Sequence, residues 1–115
     1  MPHREVLLLR GEMIDAAEQA HELVAGHDIH AIEADRLRRD AVLWNFTVLG
    51  EAAAQLADAF KQTHPEVNWS RPSQLRNRIV HGYWSIDLQI LHSTAVHDLP
   101  TFVDQLRAVL EDLES

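Results

Sequence analysis

Between Leu88 and Leu113 the apolar residues of this 115-residue chain recur at steps of 3, 4, 4, 3, 4, 4 and 3: Leu88, Leu91, Ala95, Leu99, Phe102, Leu106, Leu110 and Leu113. That rhythm places all eight on one face of a helix. The spacing predicts a helix from Ser85 to Glu114 whose apolar face must be covered by other helices. Pro100 lies inside it and has no N–H to give the preceding turn, so a kink is expected there.

Two further stripes supply the cover. Leu9, Met13, Ala16, Ala20 and Val24 predict a first helix from Arg4 to Val24, closed by Gly26. Leu37, Ala41, Trp44, Val48, Ala52, Leu56 and Phe60 predict a long second helix from His30 to Thr63, with a break possible near Ala34-Asp35. Unbroken, it would reach about 50 Å. His64-Pro65 ends it, because a residue before proline is pushed out of the helical region. Pro72 suits the first turn of a shorter third helix, which Leu75, Ile79 and Val80 bury and Gly82 closes. The fold class is therefore all-α: an antiparallel bundle of four to five helices, forming one domain over residues 1–115. Helices of such unequal length leave apolar surface uncovered, which favours a homodimer.

Four glycines and four prolines are too few for the turns of a small β-sandwich. With no cysteine, disulfides, thiolate metal sites and cysteine nucleophiles are excluded. No secretory signal opens the chain and no apolar run approaches the roughly 20 residues of a membrane helix. The expected location is the cytoplasm, with no membrane contact.

The net charge of −8 argues against nucleic acid as a partner when taken alone. Its distribution says otherwise. From Val67 to Ile86 there is no acid, but there are three arginines, Arg71, Arg76 and Arg78; a second basic cluster is Arg36, Arg38 and Arg39. Arginine suits bidentate phosphate contact better than lysine does.

Eight histidines raise the question of a metal. A di-iron bundle needs two Glu-x-x-His pairs and two more glutamates; this chain has one pair, Glu18 and His21, and no His-x-x-x-His. Neither a metal nor a cofactor is expected, and the histidines read as solvated surface groups. Trp44, Phe46 and Phe60 sit at helical spacing and read as core. Trp69, Tyr83 and Trp84 flank the basic segment and are better placed for ligand contact, although packing suits Trp69.

The segment Arg76-Asn77-Arg78-Ile79-Val80-His81-Gly82-Tyr83 stands apart. Asn77 and His81 are four apart and share a helix face. Arg76 precedes His81 by five residues, about 140° around the axis, a gap that a long side chain can bridge at a helix end or across a dimer axis. A fixed cation, an amide and an imidazole that can take or give a proton suit phosphodiester cleavage without a metal. Taken alone, an arginine and a histidine at a helix end are more often a cap and a surface ion pair.

Arg76, His81 and Tyr83, with Asn77 after the arginine, form Arg-x4-His-x-Tyr, which resembles the HEPN nuclease motif in its HepT toxin form. The resemblance extends over nearly the whole chain: Asp35-Arg36-Leu37, Asp40-Ala41-Val42-Leu43 and Leu49-Gly50-Glu51-Ala52 in the second helix, His64-Pro65-Glu66 with Trp69 in the connector, and Asp98-Leu99-Pro100 in the last helix. It implies a HEPN-type bundle that dimerises and joins two motifs in a cleft. It implies a metal-independent endoribonuclease that leaves a 2′,3′-cyclic phosphate, the toxin of a type II toxin–antitoxin pair. Arg76, His81 and Asn77 would be catalytic, and Arg78 and Tyr83 would contact RNA. The implied antitoxin is a minimal nucleotidyltransferase that adenylylates Tyr83. The competing reading is a non-catalytic HEPN-type module that binds a nucleotide or a partner.

Overall fold

The computed structural model describes residues 3–82 and 85–114, with side chains over 5–82 and 85–109. Among them there are helices and no strand. The order is α1 (His3–Val24), α2 (Ile29–Ala34), α3 (Arg36–Gln55), α4 (Asp58–Gln62), α5 (Ser70–His81), α6 (Leu88–Ser93), a π-turn (Thr94–Asp98) and α7 (Leu99–Glu114). None of these helices is long and apolar enough to cross a membrane.

The α1 stripe is buried as expected, from Leu9 to Val24. Ala16, Ala17 and Ala20 are fully buried small residues, and α3 and α7 pack against this helix. Gly26 leaves it at φ 74°, the left-handed conformation that glycine adopts without a Cβ penalty.

The expected second helix is three helices. Asp35 breaks it, because its carboxylate accepts the Arg38 N–H and so caps α3. Asp28 caps α2 in the same way through the Ala31 N–H. The second break falls at Leu56 and Ala57, which are extended with no glycine or proline beside them. The turn buries Leu56 and leaves Phe60 packed on His64 and Trp69, with ring centroids 5.0 and 6.0 Å away. Tertiary packing overrides helix propensity here. The register of α3 also differs from expectation. Val42, Leu43, Phe46, Leu49 and Ala53 face the core, whereas Leu37 and Trp44 are 85% and 66% exposed. Val80, expected to be buried on α5, is exposed as well.

Trp69 is a packing residue. Its Nε1–H donates to the His64 carbonyl at 3.0 Å and its ring meets Phe102 edge-on. These contacts pin the connector to α7 and so fix where α5 begins. From there α5 lies on α3 at Gly50, where a Cβ would collide with the Arg76 Cβ and the Pro72 carbonyl oxygen.

The kink expected at Pro100 takes the form of the π-turn. The Leu99 N–H donates to the Thr94 carbonyl five residues back, and Pro100 has no N–H to offer. The Ala95 carbonyl therefore lacks a donor from its own helix. His21 of α1 supplies one, its Nδ1 lying 2.9 Å from that oxygen. Because a carbonyl only accepts, this ring nitrogen carries the proton. His92 bonds the His27 carbonyl through Nε2 at 2.7 Å. These two histidines join elements of the fold and are not the solvated surface groups expected.

Three substitutions at two positions test these joints. Gly50→Ala is expected to cost about 1–3 kcal/mol by overpacking the α3–α5 crossing. His21→Ala is expected to cost a similar amount, about 1–3 kcal/mol, by stranding the Ala95 carbonyl, and His21→Gln should recover part of it. Urea midpoints measure all three.

Candidate functional site

The α5 helix carries the site. Its core face is formed by Pro72, Leu75 and Ile79, and it ends at Gly82, whose N–H returns to the Arg78 carbonyl. The basic residues of the Arg-x4-His segment flank that face, Arg76 on the side of α3 and His81 away from it.

Arg76 is placed by three contacts. Its Cβ lies against Gly50. Its buried Nε faces Glu51 Oε2 at 3.1 Å, an ion pair whose angle is not that of a hydrogen bond. Its Nη1–H donates to Asn77 Oδ1 at 2.9 Å. The side chain is 31% exposed, so part of the guanidinium still faces solvent. A guanidinium carries five N–H donors, and its planar fork matches the oxygens of a phosphate. Glu51 and Asn77 hold this fork from two sides and leave donors for a ligand.

His81 is exposed at the last residue of α5. With Arg78, Gly82, Ser85 and Asp87 it lines a cavity of about 370 Å³ on the side of α5 away from α3. The structure thus groups Arg76 with Asn77 and Glu51, and His81 with Arg78. Among the described residues of one chain, no hydrogen bond or ion pair joins the two groups. Tyr83 and Trp84 lie outside the described residues.

Glu51 carries no signal of its own as a site residue. It is twenty-five positions before Arg76 in the sequence, and no local spacing connects them. The only hint was its place beside Gly50 in a stretch resembling the HepT form. The Arg36, Arg38 and Arg39 cluster, by contrast, is matched by acids of its own helix start. Arg36 and Arg39 pair with Asp40, and Arg38 with Asp35 and the Leu23 carbonyl. Glu18, half of the Glu-x-x-His pair, bonds Arg107 at 2.8 Å. Among the described residues no three His, Asp or Glu side chains are grouped to hold a metal ion.

Beside the Arg76 group runs an apolar strip. Trp44 on α3 and Val80 on α5 flank one shallow cavity with Leu43 and Ile79. Leu37 continues it one to two turns back along α3, fully in solvent. Val80 is three residues after Asn77 and four after Arg76, so strip and guanidinium share one side of α5.

An all-helical bundle with a clamped arginine and a helix-terminal histidine defines a class of protein that can hold a phosphate and move a proton beside it. Comparison with known proteins identifies the family: over residues 13–109 the chain matches the Ribonuclease HepT-like family and belongs to it. It is 26% identical over 99 residues to the "Probable ribonuclease HepT" of Thermococcus cleftensis, covering 86% of this chain and 87% of that protein. It is 21% identical over 114 residues to the "Putative RNase MJ0127" of Methanocaldococcus jannaschii, covering 99% and 94%. No solved structure matches the chain.

Since Arg76 and Glu51 are both partly solvated, their pair should contribute little to stability. Glu51→Ala is expected to change the unfolding free energy by no more than about 1 kcal/mol, read from the urea midpoint. A larger loss would make the pair a fold determinant and not a clamp.

Proposed function

We propose that this protein is a metal-independent endoribonuclease, the toxin of a HepT-type toxin–antitoxin pair, acting as a homodimer. The observation that carries the reading is the Arg76 guanidinium, gripped by Glu51 and Asn77 on the helix that ends in His81, in a chain of the Ribonuclease HepT-like family. In the reaction an RNA 2′-oxygen forms a bond to the adjacent phosphorus and the 5′-oxygen leaves. The products are a 2′,3′-cyclic phosphate and a free 5′-hydroxyl. His81 takes the proton from the 2′-hydroxyl or gives one to the leaving oxygen. Arg76 holds the charge that develops on the phosphoryl oxygens. Asn77 orients Arg76, and Arg78 steers the strand.

The separation of the two groups around α5 supports a composite site. Arg76 and His81 diverge by about 140° on one helix, so a second copy docked at the Leu37, Trp44 and Val80 strip can bring its own motif beside the first. An exposed tryptophan and leucine flanking a functional cation are the kind of anchors that interfaces bury.

Tyr83 is the proposed site of control. Adenylylation by a minimal nucleotidyltransferase would put a bulky phosphodiester two residues from His81, adding negative charge where substrate phosphate binds. The protein is proposed to act in the cytoplasm, on cellular RNA.

Cleavage of RNA in EDTA tests the mechanism. Wild type is expected to cut, and His81→Ala and Arg76→Ala to lose about 100-fold or more. Equal activity in His81→Ala, or activity only with added metal, would overturn it. Trp44→Asp combined with Val80→Asp is expected to yield monomers by sedimentation and to abolish cutting.

A further inference from the structure

Besides the cavity at His81, the described residues form another. It measures about 420 Å³ and lies between the connector, the first half of α5 and the π-turn. Its floor is carbon, from Phe46, Leu99 and Phe102. At its rim stand Arg71, His97, Asp98 and Thr101. None of these four side chains makes a hydrogen bond or ion pair with another described residue. The wall that carries His97 and Asp98 is the π-turn forced by Pro100, a widened turn of a kind that recurs at functional sites.

The chemistry of the rim selects the ligand. Glu66 and Asp98 face the same space as Arg71, so the cavity presents no field of one sign and would repel a phosphate as much as attract it. A flat, neutral group with donors and acceptors on its edge fits better: carbon below, a carboxylate, a guanidinium and a hydroxyl around it. The volume is within the range of small-molecule sites.

Position selects further. Leu75 is a wall of this cavity and also of the one holding Arg78 and His81. The two adjoin along one face of α5, where Arg71 precedes His81 by ten residues, about 15 Å of helix. A strand whose phosphate lies at His81 would pass Arg78 and reach this cavity within a few nucleotides.

We propose that the cavity receives one unpaired nucleobase of the RNA, a few nucleotides from the cleaved bond, and so sets sequence preference. The inference rests on the ribonuclease reading above. Phe46, Leu99 and Phe102 contact the ring, while Asp98 and Arg71 read its edge.

The test uses the full chain carrying His81→Ala, so that binding is measured without cleavage. Single-stranded oligonucleotides bearing an abasic site at each position in turn are titrated. One position is expected where the missing base weakens binding about tenfold. Thr101→Trp, which fills the cavity, is expected to weaken the intact oligonucleotide by a similar factor and to make the abasic site silent. Uniform sensitivity along the strand, or unchanged binding in Thr101→Trp, overturns the inference. If Thr101→Trp does not fold by circular dichroism, Asp98→Asn and Arg71→Gln replace it. They are expected to change which base is preferred at that position in cleavage of a random RNA pool, and an unchanged preference overturns the inference. If wild type cuts no RNA, the ribonuclease reading fails separately. The cavity is then decided by titrating the four ribonucleosides: binding lost in the Thr101 or Asp98 variant supports it, and no binding overturns it.

Discussion

The contact at Gly50 governs the rest of the arrangement. Two helices can approach this closely only where one has no side chain, and here Arg76 Cβ and the Pro72 carbonyl fill the place a Cβ would take. Seating α5 there does three things at once. It buries Leu75 and Ile79 against the core, brings Arg76 beside Glu51 on the next residue of α3, and leaves Asn77, Val80 and His81 at the surface. The guanidinium is therefore placed by backbone packing and aimed by two side-chain contacts. A group held this way loses little freedom when it meets an anion, which is what preorganised electrostatic stabilisation requires.

The second constraint is Pro100. Its missing N–H widens the turn before it, and the consequences run in two directions. Inward, the orphaned Ala95 carbonyl is answered by His21 from α1, so a defect in one helix becomes a joint between two. Outward, the widened turn carries His97 and Asp98 to the rim of the cavity floored by Phe46 and Phe102. A buried carbonyl without a donor would cost about 1–3 kcal/mol, so the histidine and the π-turn belong to one device.

How much of this was legible depended on how local the cause was. The α1 stripe and the stripe from Leu91 to Leu106 were readable because each helix has one dominant apolar face. The face of α3 was not. Val42, Leu43, Phe46 and Leu49 compete with Leu37, Trp44 and Val48 on the same helix, and periodicity cannot choose between two apolar sides. The choice is made by α1 and α5, which cover one side and leave Trp44 out. The break at Leu56-Ala57 was invisible for the same reason, since its cause is the burial of Leu56 and not a local breaker. At the candidate site, spacing and charge marked out the segment from Arg76 to His81 and the family resemblance proposed its roles, whereas the pairing of Arg76 with Glu51 had no local signal.

By itself, then, the sequence determined that the chain is helical, where Gly26, Pro72 and Pro100 shape its turns, and which acid-free segment bears the arginine and the histidine. These follow from periodicity and from covalent properties of single residues, such as a missing N–H or a missing Cβ. Only the tertiary structure decided that Arg76 is clamped by Glu51, that Trp44 and Val80 stay in solvent, and that His21 and His92 join separate elements of the fold. Each of these is a distance between residues far apart in the chain, set by how closely two helices can pack, and no local pattern contains it.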